Sequence, residues 1–326
     1  MTKQTLNLHV VDALNKAFDA RSDDSIVVEP IQTRRYARIG FQGDDIIVVL
    51  PNSDSQPGRP IRLSKFYVDY RVKCTVVEGQ SQKDEIVTIM RLKNPNDALR
   101  SVFCEVISLL LRTIPTFNVP RIADLIQGLI ELFRAMDSPN TSTMLGLWGE
   151  LFVIGSANDP DLVATAWHAT PNDKFDLSLD DVRVEVKTTN GPRRHHFSLE
   201  QVQDVPGLKI AIASLIVNES STGKTVVEMI SWVEQAITQA TTRDRIQKIA
   251  LKTIGNALGD DMLKRYDTES AGANLRFFSG STVPQPNPPA FGVTQIRFVA
   301  DLQLVADMDR QIFENWGRLA KALLKD

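Results

Sequence analysis

Hydrophobic and polar positions change period repeatedly along the chain, and each change marks a different kind of element. Residues 1–20, MTKQTLNLHVVDALNKAFDA, space their apolar positions as an amphipathic helix. Between 25 and 93 the pattern becomes a series of short strand-like runs: SIVV (25–28), YARIGF (36–41), DIIVVL (45–50), FYVDY (66–70) and EIVTIM (85–90). The turn-forming stretches PNSDSQPGRP and NPND punctuate them. From Asn96, a suitable N-cap, helical spacing returns and predicts helices over 97–113 and 119–136, joined around Pro115. A third apolar helix is expected over 142–155, ended by the Pro, Asn and Asp residues of 158–161. Strands near 164–168, 175–179 and 182–189, a short helix near 198–204 and an apolar strand at 209–217 follow. Helices near 225–239 and 242–257, a Pro-rich loop (283–289), a strand near 293–300 and an amphipathic helix at 306–324 complete the expectation.

This succession predicts a β-rich N-terminal domain (1–95), a helical bridge (96–140), an α/β core of mixed α+β order (141–257) and a C-terminal strand and helix extension (258–326) packing on that core. With 326 residues, 43% hydrophobic and 24% charged, the chain has enough apolar side chains for proper cores, which argues against wholesale disorder. No run approaches the roughly 18 apolar residues that span a bilayer, and the opening helix carries no signal-peptide cleavage region, so a cytoplasmic protein without a membrane partner is expected. Cys74 and Cys104 sit in apolar runs without CxxC spacing and read as buried thiols. The Trp residues at 148, 167, 232 and 316 read as core. The chain contains no P-loop, dinucleotide fingerprint or GxSxG, which leaves nucleotide hydrolysis and serine-hydrolase chemistry without support.

The most informative stretch is KFDLSLDDVRVEVK (174–187). Its alternation reads as two strands joined at Asp180-Asp181, with Leu179 opposite Val182, Leu177 opposite Val184 and Phe175 opposite Val186. One face is then apolar, while the other carries Asp176, Ser178, Arg183, Glu185 and Lys187. That register sets Asp176 across from Glu185 with Cβ atoms roughly 5 Å apart, a repulsive pairing that makes sense if a divalent cation lies between the carboxylates or one of them is protonated. Lys187 lies roughly 7 Å along the same face, placed to orient a water or to offset charge on a phosphate. An exposed hairpin with a solvated charged face would show the same periodicity.

Upstream, the helix TMLGLWGELFVI (143–154) is apolar nearly all round, and Glu150 is its lone charge. A carboxylate there needs a partner or a metal. Gly146 and Gly149, each costing about 1 kcal/mol inside a helix, suggest close packing on that face. The basic run Arg193-Arg194-His195-His196, with Lys174 and Arg183, offers a local positive rim in a chain of net charge -3, which is too acidic to coat nucleic acid indiscriminately. Arg34-Arg35-Tyr36-Ala37-Arg38 mixes basic and aromatic residues and is a weaker nucleic-acid candidate or a solvated strand face.

In order, GLWGEL (146–151), FDLSL, VRVEVKTT (182–189), RRHHFSLEQV (193–202) and KIAIASLIV (209–217) resemble the αβββαβ core of the PD-(D/E)XK nuclease superfamily. The likeness is to an uncharacterised bacterial branch associated with restriction or phage-defence loci. It implies a restriction-endonuclease-like core and a metal-dependent DNA endonuclease, using Mg²⁺ with Mn²⁺ as a substitute. Asp176 and Glu185 would be metal ligands, Lys187 the catalytic lysine and Glu150 a supporting carboxylate. Gln201 matches a place where some branches carry a functional Gln, and Arg193, Arg194, His195 and His196 would meet substrate. Phe175 stands where the signature has Pro. The expected partners are DNA and, in a restriction or defence assembly, other subunits or a second copy as a homodimer. The competing reading is a catalytically silent DNA- or protein-binding subunit with the same fold, and a third is action on RNA or a nucleotide.

Overall fold

A computed structural model of the chain describes residues 3–52, 59–78, 81–136, 143–168, 173–256, 263–286 and 294–325. They gather into two compact units, one of Met1–Thr141 with Leu251–Met262 and one of Ser142–Ala250 with Leu263–Asp326.

The first unit begins with α1 (Lys3–Asp19), followed by β1 (Val27–Ile31), β2 (Arg34–Gln42), β3 (Asp45–Pro51), β4 (Ile61–Arg62), β5 (Phe66–Glu78), β6 (Ser81–Leu92), α2 (Asp97–Arg112) and α3 (Val119–Met136). Its strands form one antiparallel sheet in the order β1-β2-β3-β6-β5-β4. Central β3 is buried on both faces, which explains why IIVVL (46–50) is continuously apolar rather than alternating. Ile47 and Val49 join Val87 and Ile89 in one small core, while Phe66 stacks on Phe133 of α3 at 4.5 Å. The expected N-cap holds: the Asn96 side chain accepts from the Leu99 amide at 2.9 Å. Burial pushes the Cys104 thiol up to about 12. Arg34 and Tyr36 are spoken for, since Arg34 Nε donates to Leu111 O (3.0 Å) and the Tyr36 hydroxyl to Ile114 O (2.6 Å). They satisfy carbonyls at and beyond the end of α2 and form no free basic-aromatic face.

The second unit comprises α4 (Met144–Ser156), α5 (Pro160–Ala166), β7 (Leu177–Leu179), β8 (Val182–Thr189), β9 (Arg194–Ser198), β10 (Lys209–Ile216), β11 (Glu219–Lys224), α6 (Val226–Ala236), α7 (Ala240–Asn256, its last residues counted with the first unit), α8 (Thr268–Asn274), β12 (Arg276–Ser279), β13 (Arg297–Asp301), α9 (Arg310–Glu314) and α10 (Arg318–Leu323). A four-stranded mixed sheet runs β12-β10-β8-β7, with β8 and β10 parallel, and β13 pairs with β9. This mixed α/β order is that of a PD-(D/E)XK α+β fold, as the sequence implied.

Several expectations need correction. Of the strand expected near 164–168, residues 164–166 end α5 instead and only Trp167 makes a β-bridge, to Leu177: Asp159 accepts from the Leu162 amide at 3.0 Å and Pro160 occupies the first turn, so the residues read as a stop also start a helix. The helix expected near 198–204 shrinks to a single 3-10 turn, Leu199–Gln201. The closing helix splits into α9 and α10 at Gly317, whose φ of 142° interrupts helical geometry. The basic run, for which no element was expected, is mostly strand β9, because β13 supplies a partner about a hundred residues away in sequence. The Pro-rich loop lies partly outside the described residues. Among those residues no helix is long and apolar enough to cross a membrane.

Candidate metal centre

The alternation of 174–187 yields the expected ladder: Leu177 pairs with Val184, Ser178 with Arg183 and Leu179 with Val182. Its turn places Asp180 in the left-handed region (φ 50°) and is held by Arg318 on Asp180 (3.0 Å) and Lys209 on Asp181 (2.9 Å). Phe175, Val184 and Val186 are buried on the apolar side as the pattern requires. The ladder stops at Leu177, one residue short of the expected Asp176–Glu185 pair. Asp176 instead turns its carboxylate onto the neighbouring strand, where Oδ2 accepts from the Val186 amide at 2.7 Å. A side chain thus replaces a backbone acceptor at the strand's end.

Glu185 is only 5% exposed. Its Oε1 accepts from Lys187 Nζ at 2.7 Å and from Gln201 Nε2. Lys187 Nζ also donates to Gln201 Oε1 at 3.2 Å and lies 5.3 Å from the centre of the Phe197 ring. Gln201 is positioned by the 3-10 turn, where Ser198 and Gln201 form a reciprocal capping box and the Ser198 amide donates to Gln201 Oε1 at 3.0 Å. Glu185 Oε2 is buried and has no hydrogen-bond partner among the described residues.

Helix α4 brings the third carboxylate. Gly149 permits the approach, for a Cβ there would stand 1.8 Å from Thr188 Oγ1 on β8. Gly146 does not share this role; a Cβ would meet only its own N-cap residue, Thr143. Glu150 Oε2 accepts from Trp167 Nε1 at 2.8 Å and lies 3.2 Å from His168 Nε2. The Trp167-His168 pair is firmly placed. Trp167 bridges Leu177, the His168 amide donates to Asp176 O at 2.9 Å, and Arg245 of α7 donates to the carbonyls of Ala164, Thr165, Trp167 and His168. Donor atoms of Glu150, His168 and Asp176 all lie within 4.8 Å of one another.

Electrostatics show what this cluster lacks. Burial raises the Asp176 pKa well above the carboxylate range, and the nearby Glu150 and Glu185 charges raise it further. Burial also raises Glu185, against the pull of Lys187. Three carboxylates face one ammonium, and a buried acceptor is left orphaned. Such a donor set fits a hard divalent cation, which would take Asp176, Glu185 Oε2 and Glu150 as oxygen ligands and offset their repulsion.

Of the residues singled out by sequence, Asp176, Glu185, Lys187, Glu150 and Gln201 come together. Arg193 and His195 do not: Arg193, just before β9, and His195 within it both turn inward. Arg193 donates to Ser214 O (2.7 Å), Ser214 Oγ (2.9 Å) and Asn274 O (2.8 Å). His195 Nε2 lies 2.7 Å from Ser214 Oγ; burial, with Lys187 and Arg193 nearby, lowers its pKa to about 4. Of the basic run, the expected positive rim therefore keeps the outward residues, Arg194, paired with Asp301 at 2.7 Å, and His196; Lys174 is exposed as well and Arg183 half-buried. His168 escaped the sequence reading. Its one signal is a polar ring closing the apolar run of α5, and a lone His obeys no spacing rule.

Comparison with known proteins gives one finding. A family model described as "Putative PD-(D/E)XK family member, (DUF4420)" matches residues 12–281. No curated protein and no solved structure matches the chain.

Proposed function

The chain belongs to the DUF4420 family, and from that premise we propose that it is a metal-dependent DNA endonuclease acting in a restriction or phage-defence system. The observation that carries the reading is that donor oxygens of Asp176 and Glu150 lie within 4.8 Å of one another beside the buried Glu185, whose Oε2 has no partner among the described residues and whose Oε1, with Gln201, holds Lys187. Mg²⁺ or Mn²⁺ held by those carboxylates supplies Lewis-acid polarisation of the scissile phosphate and a more acidic water. Lys187 orients the attacking water and offsets the negative charge that grows on the phosphate in the transition state. Gln201 keeps the Lys187 ammonium and the Glu185 carboxylate in one geometry. Exposed His196 and Arg194 contact the DNA backbone at the rim.

Purified protein with Mg²⁺ or Mn²⁺ is expected to nick supercoiled plasmid, and the activity is expected to vanish with EDTA and in Lys187→Ala. Nicking that survives Lys187→Ala would overturn the assignment. DNA binding that is equally tight with and without EDTA, in the absence of nicking, would favour the silent binding subunit.

A further inference from the structure

Resting on the metal-dependent reading above, we propose that His168 is a nitrogen ligand of the metal centre and tilts it toward Mn²⁺, and first-row transition ions generally, over Mg²⁺. His168 is as well placed as the carboxylates. Its Nε2 lies 3.2 Å from Glu150 Oε2, and one donor atom each from Glu150, His168 and Asp176 falls within a 4.8 Å span. Ligand bonds of about 2.1 Å bring donors around one ion roughly 3 to 4 Å apart, so modest side-chain movement closes the set. Beside this cluster, the buried Glu185 Oε2 has no hydrogen-bond partner among the described residues, an independent sign of a place for a cation.

The placement of His168 is built into the fold. Its φ of 41° is a left-handed conformation that a residue with a β-carbon rarely adopts, and two contacts hold it there. The His168 amide donates to Asp176 O at 2.9 Å, which ties the imidazole to the very residue that bears a ligand carboxylate. Arg245 donates to Trp167 O at 2.7 Å and to His168 O at 3.4 Å from the other side. Trp167 Nε1 meanwhile occupies Glu150 Oε2 at 2.8 Å, so the Trp fixes the carboxylate while the His faces it. With its proton on Nδ1, the neutral imidazole presents the Nε2 lone pair to an ion that replaces its contact with Glu150.

The chemical consequence follows from ligand type. Mg²⁺ binds oxygen donors and retains its waters, whereas imidazole nitrogen favours transition ions. A site of carboxylates alone would discriminate weakly between Mg²⁺ and Mn²⁺; one imidazole added to them separates the two.

The experiment is electron spin echo envelope modulation on the full chain loaded with Mn²⁺, alongside Mn²⁺ and Mg²⁺ titrations by calorimetry. Wild type is expected to show ¹⁴N modulation from one imidazole. His168→Asn, chosen because Asn tolerates the left-handed conformation, is expected to lose the modulation and about 10- to 100-fold in Mn²⁺ affinity while Mg²⁺ affinity changes little. Mn²⁺ bound in an Asp176-dependent manner without ¹⁴N modulation would overturn the inference, leaving His168 to orient Glu150, and would leave the nuclease reading intact. Equal losses for both ions in His168→Asn would overturn it as well. Failure of the nuclease reading is seen separately, as absence of nicking by a protein whose Mn²⁺ site shows the nitrogen signal.

Discussion

Asp176 has two obligations that pull in opposite directions. Its Oδ2 accepts from the Val186 amide, while its burial beside Glu150 and Glu185 disfavours the charge. Asp176→Asn keeps an acceptor for Val186 and removes a charge, so the metal-free variant is expected to melt at the wild-type temperature or above it. Its stabilisation by Mn²⁺ or Mg²⁺ should disappear; both are read in thermal melts with and without the ions, and strong destabilisation of the metal-free variant would refute the crowded-carboxylate picture. His195 makes a pH prediction. Its folded pKa of about 4 lies below the ordinary 6.5, so the unfolded chain binds the extra proton between those values. The contribution is fully present above pH 6.5 and is lost as pH falls toward 4, by up to about 3 kcal/mol. Denaturant titrations of wild type and His195→Gln across that window are expected to converge at low pH, the difference isolating His195 from the carboxylates that titrate nearby.

At the level of elements, the contact of α4 with β8 depends on one missing methyl group. Gly149→Ala drives a Cβ into Thr188 Oγ1, and neighbouring Glu150 would lose its place over the cluster. A stability loss of about 2–3 kcal/mol is expected, partly recovered in the Gly149→Ala/Thr188→Ala pair, with urea unfolding as the measurement. Additive losses in the double variant would mean that the two residues do not meet. The C-terminal break at Gly317 behaves differently. With φ at 142° and ψ at -164°, its backbone is open to glycine almost alone, so Gly317→Ala is expected to cost roughly 1–3 kcal/mol without altering Mn²⁺ affinity.

For the whole molecule, 37 basic residues stand against 40 acidic ones, and two of the four residues in the expected basic run are buried. A cleavage-deficient Lys187→Ala protein is therefore expected to contact few phosphates, about three, and to lose roughly 40-fold in DNA affinity between 50 and 200 mM salt. A loss of a thousandfold or more would reveal a larger basic surface. The order of elements and the central constellation were legible in the sequence because both rest on local periodicity: alternation fixed the register of Leu177 with Val184, and the lone charge in an apolar helix drew attention to Glu150. Gln201 was legible by resemblance, and its contacts with Glu185 and Lys187 came from the capped 3-10 turn. The inward turn of Arg193 and His195 was decided by β13, about a hundred residues downstream, which made a strand of a stretch with no strong strand signal. The position of His168 was decided by Arg245, Asp176 and Glu150 together, from three separate stretches of the chain. Periodicity records which face of an element is buried; which side chains from distant elements meet there depends on packing, and only the tertiary structure determines that.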